Sequence, residues 1–279
     1  MNVATEKIFS PDSLDAALDL LGQYGSDLFV IAGGTMAMQL INEGIISPKL
    51  AMTLHRTKLN EVRAVNGHLE IGATTTLTRV AQISEVPLLA EAARHVGGWT
   101  IRNMATLAGN LFVPPPAGDA AVALLALDAE VITARKGSIS KIPLERFFTG
   151  LMETALASGE LVTRINVPRP RGKTAFLKFG RRQANTPAVV TIAAQIMRDD
   201  QGVCQEARIA LGAVGDYPLR ARQAEAALRG RKLDAKSITD AAAAAMQEAQ
   251  PFSDAIASGW YRRKMVGVYV RRALEAIGG

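Results

Sequence analysis

Apolar and polar positions along the chain mark out a succession of short elements. Leu14, Ala17, Leu18 and Leu21 recur at a helical period behind Ser10-Pro11-Asp12, which reads as an N-cap with proline at the first helical position. A short apolar run over 27–31 ends in Ala32-Gly33-Gly34-Thr35, and a helix-permissive stretch over 36–41 follows at once. This is strand, glycine turn, helix. Residues 49–54 read as a further strand, and Asn66-Gly67 inside the partly alternating stretch 62–74 predicts a hairpin. Helices are expected over 77–85 and 87–96, the second stopped by Gly97-Gly98. Residues 99–110 and the run Pro114-Pro115-Pro116 read as extended loop. Asp119 then opens an apolar helix over 120–127, and strands are expected at 131–135, 139–142 and 161–167.

Pro168-Arg169-Pro170-Arg171-Gly172 reads as a boundary. Beyond it come three strands, 175–181, 188–197 and 204–214, with Asp199-Asp200-Gln201-Gly202 turning between the last two. Helices over 221–228, 238–249 and 257–276 close the chain, and no internal repeat is visible. At 279 residues, a prior of roughly 150 residues per domain gives about two domains.

Composition narrows the function. Apolar residues at 48% and charged residues at 21% describe a folded chain rather than a disordered one. No apolar run reaches the ~18–20 residues that cross a bilayer. The opening residues, MNVATEKIFSPDSLD, hold no apolar core of a secretory signal, so a cytoplasmic chain is expected. Cys204 is the single cysteine, which excludes an internal disulfide and any four-thiolate iron–sulfur or zinc site within the chain. Aromatics at 5% are too sparse for a stacking platform, and nucleic acid is not an expected partner. The net charge of +6 hints at an anionic ligand or partner without choosing one.

Four places carry candidate chemistry. Ala32-Gly33-Gly34-Thr35 lets backbone N–H groups approach a ligand at a helix start, which suits phosphate; an ordinary strand-to-helix turn fits as well. Thr106-Leu107-Ala108-Gly109-Asn110 offers a hydroxyl, a flexible glycine and an amide to phosphate oxygens, or is a plain surface turn. Asp119 is either a helix N-cap or an acceptor for sugar hydroxyls. Lys178, mid-strand in Phe176-Leu177-Lys178-Phe179, faces either solvent or a cofactor cleft. Ser138-Ile139-Ser140-Lys141 matches S-x-x-K, but no S-D-N or K-T-G accompanies it. His55, His68 and His95 lack metal-ligand spacing, so no metal site is expected, and no side chain stands out as catalytic. The last helix sets Arg262, Arg263, Lys264, Arg271 and Arg272 against an apolar stripe of Met265, Val266, Tyr269, Ala273, Leu274 and Ile277. A solvated basic face is expected, with docking to an acidic partner as the alternative.

These segments occur in a telling order. Ala-Gly-Gly-Thr at 32–35, Ile101-Arg102-Asn103-Met104-Ala105-Thr106-Leu107-Ala108-Gly109-Asn110, Pro116-Ala117-Gly118-Asp119 and Trp260-Tyr261-Arg262-Arg263-Lys264-Met265 follow one another along nearly the whole chain. The set resembles the FAD-binding medium subunit of the xanthine dehydrogenase and aerobic carbon monoxide dehydrogenase family of molybdenum hydroxylases. The usual patterns there are A-G-G-[TH], I-R-N-x-A-T-[IL]-G-G-N, P-x-[AS]-D and Y-R-R-x-[LM].

The resemblance implies an α+β fold. Residues 1–170 would form a two-subdomain FAD-binding domain of the vanillyl-alcohol-oxidase (PCMH) type, split near 56, and residues 171–279 a C-terminal domain of three antiparallel strands with helices. It implies pyrophosphate loops at Ala32, Gly33, Gly34 and Thr35 and at Thr106, Ala108, Gly109 and Asn110, with backbone N–H groups of both loops as donors. Asp119 would lie near ribityl or ribose hydroxyls, Leu161 would line the flavin, and Lys178 would sit near the isoalloxazine edge. Electrons would come from [2Fe–2S] clusters on a small subunit and leave to NAD, a quinone or O₂. A large subunit would hold the molybdopterin, in a dimer of heterotrimers. Ala108 departs from the usual glycine, and Asn185-Thr186-Pro187 stands where many members have an aspartate and a large apolar residue. A self-sufficient flavin reductase or oxidase on the same fold is the competing reading. A basic nucleic-acid module is a third.

Overall fold

Three larger sheets, one two-stranded hairpin and three apolar cores organise the computed structural model, which describes residues 5–278. The leader reading of the opening residues falls partly on residues 1–4, which lie outside the described residues. The first sheet comes from β1 (Lys7–Phe9), α1 (Leu14–Tyr24), β2 (Leu28–Ile31), α2 (Ala37–Asn42) and β3 (Leu50–Thr53). Its order is β1-β3-β2, parallel throughout. The cap of α1 is Ser13, whose side chain accepts from the Ala16 N–H, and not Ser10. Pro11 lies buried before the helix rather than inside it.

The second sheet holds β4 (Val62–Val65) and β5 (His68–Gly72), joined by the Asn66-Gly67 turn with both residues at positive φ, as its sequence predicts. Then come α3 (Leu77–Val80), α4 (Pro87–Arg94), α5 (Trp99–Met104), α6 (Leu107–Leu111) and α7 (Asp119–Ala126). Residues 99–110 are therefore two short helices and not extended loop, and the first helix expected over 77–85 is one turn. Strands β6 (Glu130–Arg135), β7 (Ser138–Pro143), β8 (Phe148–Gly150), β9 (Glu153–Thr154) and β10 (Leu161–Pro168) follow. The sheet order is β4-β5-β10-β6-β7, antiparallel, while β8 and β9 form a small hairpin with no sequence signal. Leu161 and Ala134 of this sheet pack with Leu18, Leu21, Leu28 and Met52, so the first two units share one core.

The third sheet, β11 (Lys173–Gly180), β12 (Ala188–Arg198), β13 (Cys204–Gly212) and β14 (Leu219–Arg220), is antiparallel in that order. The fourth strand is short and adds to the three read from sequence. Helices α8 (Arg222–Leu228), α9 (Ala235–Glu248) and α10 (Gly259–Gly278) cover one face. Helix α7 covers the other, so β12 is buried on both sides, which explains its unbroken apolar run. Every residue of α7 is buried, and each of its leucines contributes about 1.5–3 kcal/mol by burial. Gly212 permits this approach: a Cβ there would lie 2.4 Å from Val122 Cγ2.

Arg262 overturns the picture of a solvated basic helix face. It is 0% exposed. Its Nη1 donates to the carbonyls of Ala188, Val189 and Ala213, and its Nη2 donates to both Asp254 carboxylate oxygens. Arg263, Lys264, Arg271 and Arg272 are exposed as expected. Cys204 is a buried strand residue.

Candidate functional site

The turn between β2 and α2 is shaped by two glycines for two different reasons. Gly34 takes φ +72°, where a side chain is strained. Gly33 is held by proximity: a Cβ there would lie 2.0 Å from the Met104 carbonyl oxygen and 3.0 Å from Ala105 Cα. The two glycine segments of the sequence therefore touch, backbone against backbone. Among the described residues, the N–H groups of Gly33, Gly34 and Thr35 donate to no other group, and the helix behind them begins without a side-chain cap. Three half-exposed donors at a helix start suit an anionic ligand with several oxygens.

The second segment behaves differently. Thr106 caps α6, its hydroxyl oxygen accepting from the Gly109 N–H at 3.1 Å. The Leu107 N–H donates to Thr75 and the Ala108 N–H to Ala73. The expectation that N–H groups of both loops face a ligand is thus corrected, because those of 107–109 are spent within the fold. The Thr106 hydroxyl proton and the Asn110 amide nitrogen remain as donors from this side, since Asn110 uses only its oxygen, to receive the Ala120 N–H at 3.0 Å. Ala108 lies inside α6 without a positive φ, so alanine fits where glycine is usual.

Asp119 is not the helix cap that its position invites. Gly118 is the N-cap residue of α7, at φ +88°. The Asp119 carboxylate turns instead toward the third sheet. Lys178 Nζ lies 2.6 Å from Oδ2, and the Thr191 hydroxyl donates to Oδ1 at 3.0 Å. Lys178 and Thr191 are direct cross-strand partners, so both point to the face of the sheet that packs on α7. Lys178 therefore lies away from solvent, its side chain 7% exposed, and it also donates to the His95 carbonyl at 3.0 Å. Burial pushes the Asp119 carboxyl above its ordinary range, while Lys178 and Thr191 pull it back down.

Leu161 is buried in the core that Ala32 also packs against, at one remove from the free donors. Asn185-Thr186-Pro187 is a largely exposed turn, with Asn185 at φ +49° and its carbonyl accepting from Arg182 Nη2 at 2.8 Å. The two loops thus meet, Asn110 of the second reaches the start of α7 next to Asp119, and Leu161 shares a core with Ala32 of the first. Sequence reasoning missed Thr191 and Arg102. The strand register aligned with Lys178 identifies Thr191. Arg102 Nη1 donates to the Val96 and Gly97 carbonyls at 3.1 and 3.0 Å.

Residues 3–170 match the family model described as the FAD binding domain in molybdopterin dehydrogenase, and residues 175–277 match the CO dehydrogenase flavoprotein C-terminal domain. The chain is 34% identical to the 6-hydroxypseudooxynicotine dehydrogenase complex subunit alpha of Paenarthrobacter nicotinovorans, over 94% of this chain and 91% of that one. It is 32% identical to the glyceraldehyde dehydrogenase medium chain of Sulfolobus acidocaldarius, over 95% and 96%. A chain of the carbon monoxide dehydrogenase structure from Hydrogenophaga pseudoflava superposes with a TM-score of 0.94 at 29% identity, covering 99% of this chain and 98% of that one.

Proposed function

The chain belongs to the family of FAD-binding subunits of molybdopterin dehydrogenases, and on that premise we propose that FAD binds across the two touching glycine loops. The carrying observation is the trio of unpartnered N–H groups at Gly33, Gly34 and Thr35, beside the free donors of Thr106 and Asn110. These groups fit the pyrophosphate oxygens of the cofactor. The chain is the electron-transfer flavoprotein of a multi-subunit molybdenum hydroxylase. Bound FAD supplies the redox chemistry between the [2Fe–2S] clusters of a partner subunit and an external acceptor.

The protein's own residues bind and orient. Gly33 and Gly34 keep the backbone close to the ligand, and Ala32 and Ala108 are small enough to leave that approach open. Lys178 holds a positive charge at the seam of α7 and the third sheet, fixed there by Asp119 and the His95 carbonyl. Asp119 serves the ribityl or ribose hydroxyls from the lone pairs that Lys178 and Thr191 leave. Leu161 supports the first loop from below and excludes water from that side. No side chain has to move a proton.

The reading assigns residues 1–170 to cofactor binding and 171–279 to completion of the cleft. The partners are a large molybdopterin subunit and a small iron–sulfur subunit, in a cytoplasmic dimer of heterotrimers. Among the described residues no helix is long and apolar enough to cross a membrane. The test is reconstitution of the purified chain with FAD, followed by absorbance. A flavin band without iron–sulfur absorption is expected. A chain that takes up no FAD, alone or co-expressed with its partners, refutes the reading.

A further inference from the structure

We infer that Arg102 is a positioning residue for the cofactor cradle: by gripping the end of α4 it fixes α5, and α5 sets the gap between the two glycine loops. The inference rests on the FAD reading above and names a residue that reading does not use.

At the C-terminal end of α4 the backbone carbonyls have no partners within the helix. Three consecutive carbonyls there are taken by two cations. The His95 carbonyl accepts from Lys178, and those of Val96 and Gly97 accept from one nitrogen of Arg102. Gly97 makes the turn, at φ +54°, and a Cβ there would lie 2.7 Å from the Ile101 side chain. The turn and α5 are therefore packed without slack.

Helix α5 has six residues, too few to hold itself by propensity. Its side chains tie it down at successive points. Arg102 reaches back to α4, and Asn103 accepts from the Thr78 hydroxyl of α3 at 2.6 Å. The next carbonyl, that of Met104, is the one on which a Gly33 Cβ would fall at 2.0 Å. The Ala105 carbonyl then receives the Leu77 N–H at 2.8 Å, which starts the path into the Thr106 cap. A shift of α5 by a few tenths of an ångström moves Met104 against Gly33, and with it the free N–H groups of 33–35. Arg102 touches neither loop. It acts through the rod between them.

Arginine suits this place. One terminal nitrogen, held in the plane of the guanidinium, gives a hydrogen to each carbonyl, whereas the ammonium of lysine has hydrogens enough but sits one bond nearer the backbone and is held in no plane.

The test uses the full-length chain and three proteins: wild type, Arg102→Lys and Arg102→Met. Each is titrated with FAD by flavin fluorescence, and the visible circular dichroism of the bound flavin is recorded. Thermal unfolding of each protein without FAD is measured beside it. The wild-type titration tests the FAD reading itself: no binding there defeats that reading and not the role of Arg102. Given wild-type binding, R102M weakens FAD affinity by about tenfold or more, the loss of two charge-assisted hydrogen bonds. R102K falls between, with altered flavin dichroism and an unfolding temperature close to wild type. Should R102M fail to fold, R102K decides. Wild-type affinity together with wild-type dichroism in R102K, or in a folded R102M, overturns the inference.

Discussion

Lys178 and Asp119 form a buried ion pair, with Nζ 2.6 Å from Oδ2 and side chains 7% and 4% exposed, across the seam between α7 and the third sheet. Each partner lies where water cannot replace the other. Thr191 and the His95 carbonyl take up further valences, so the group is a small network rather than a lone bridge. Removing one partner leaves a charge buried alone. Lys178→Met is expected to cost about 3–5 kcal/mol of unfolding free energy, and the double variant K178M/D119L markedly less than the sum of the single changes. Urea titration of the four proteins of this cycle measures the difference.

The glycines are expected to separate by mechanism. Gly33→Ala places a Cβ 2.0 Å from backbone that cannot swing away, so FAD retention should be lost. Gly109→Ala meets the Thr106 hydroxyl at 2.8 Å, a group that can rotate at the expense of its cap, and should weaken retention partially. Gly67→Ala meets nothing within 4 Å and only strains a positive φ; it should cost about 1–2 kcal/mol of stability and leave FAD untouched. Flavin content after desalting ranks the three.

Asp254 gives a pH signature. Burial raises its carboxyl, but the Ala257 N–H, the Arg262 guanidinium and the Ile256 N–H together outweigh burial and hold it below its ordinary value of 3.8. The unfolded chain therefore takes up the proton first as pH falls, so the stability Asp254 contributes is complete well above 3.8 and is lost below it, down through the lowered native value. Wild type should lose stability more steeply than Asp254→Asn below pH 4 or so, measured as the urea midpoint from pH 7 to pH 3.

Cys204 is 0% exposed, and burial pushes its thiol up. Labelling by a disulfide reagent at pH 8 should be slower than for the urea-unfolded chain by about a thousandfold or more, following the native opening equilibrium. Equal rates in the two states would place the thiol at the surface.

Much of this arrangement is legible in the residues. The three long strands of the third sheet, the Asn66-Gly67 hairpin and the glycine turn at 33–34 follow from apolar runs and turn chemistry. The α1 cap is Ser13 rather than Ser10: Ser10-Pro11 and Ser13 satisfy similar rules, and the choice is made by Pro11 burying itself ahead of the helix. The helices of 99–110 are one or two turns long and held by Arg102, Asn103 and Thr106, so tertiary bonds create what propensity does not signal. The strand pattern leaves Lys178 open between solvent and a cleft, and only the packing of α7 on that side decides it. The burial of Arg262 has a signal in its spacing: it lies four residues before Val266 and eight before Val270, on the apolar stripe itself, unlike Arg263.

The shared core of the first two sheets bears on the order in which the chain is made. Leu18, Leu21, Leu28 and Met52 leave the ribosome early, but Ala134 and Leu161, which complete their packing, emerge only after the hairpin and the five helices of the second unit. The N-terminal parallel sheet must wait, its apolar face open, until β10 arrives to close it. The glycine loop at 32–35 belongs to that waiting segment, so the donors aimed at the cofactor come into place only once the chain has been made as far as β10.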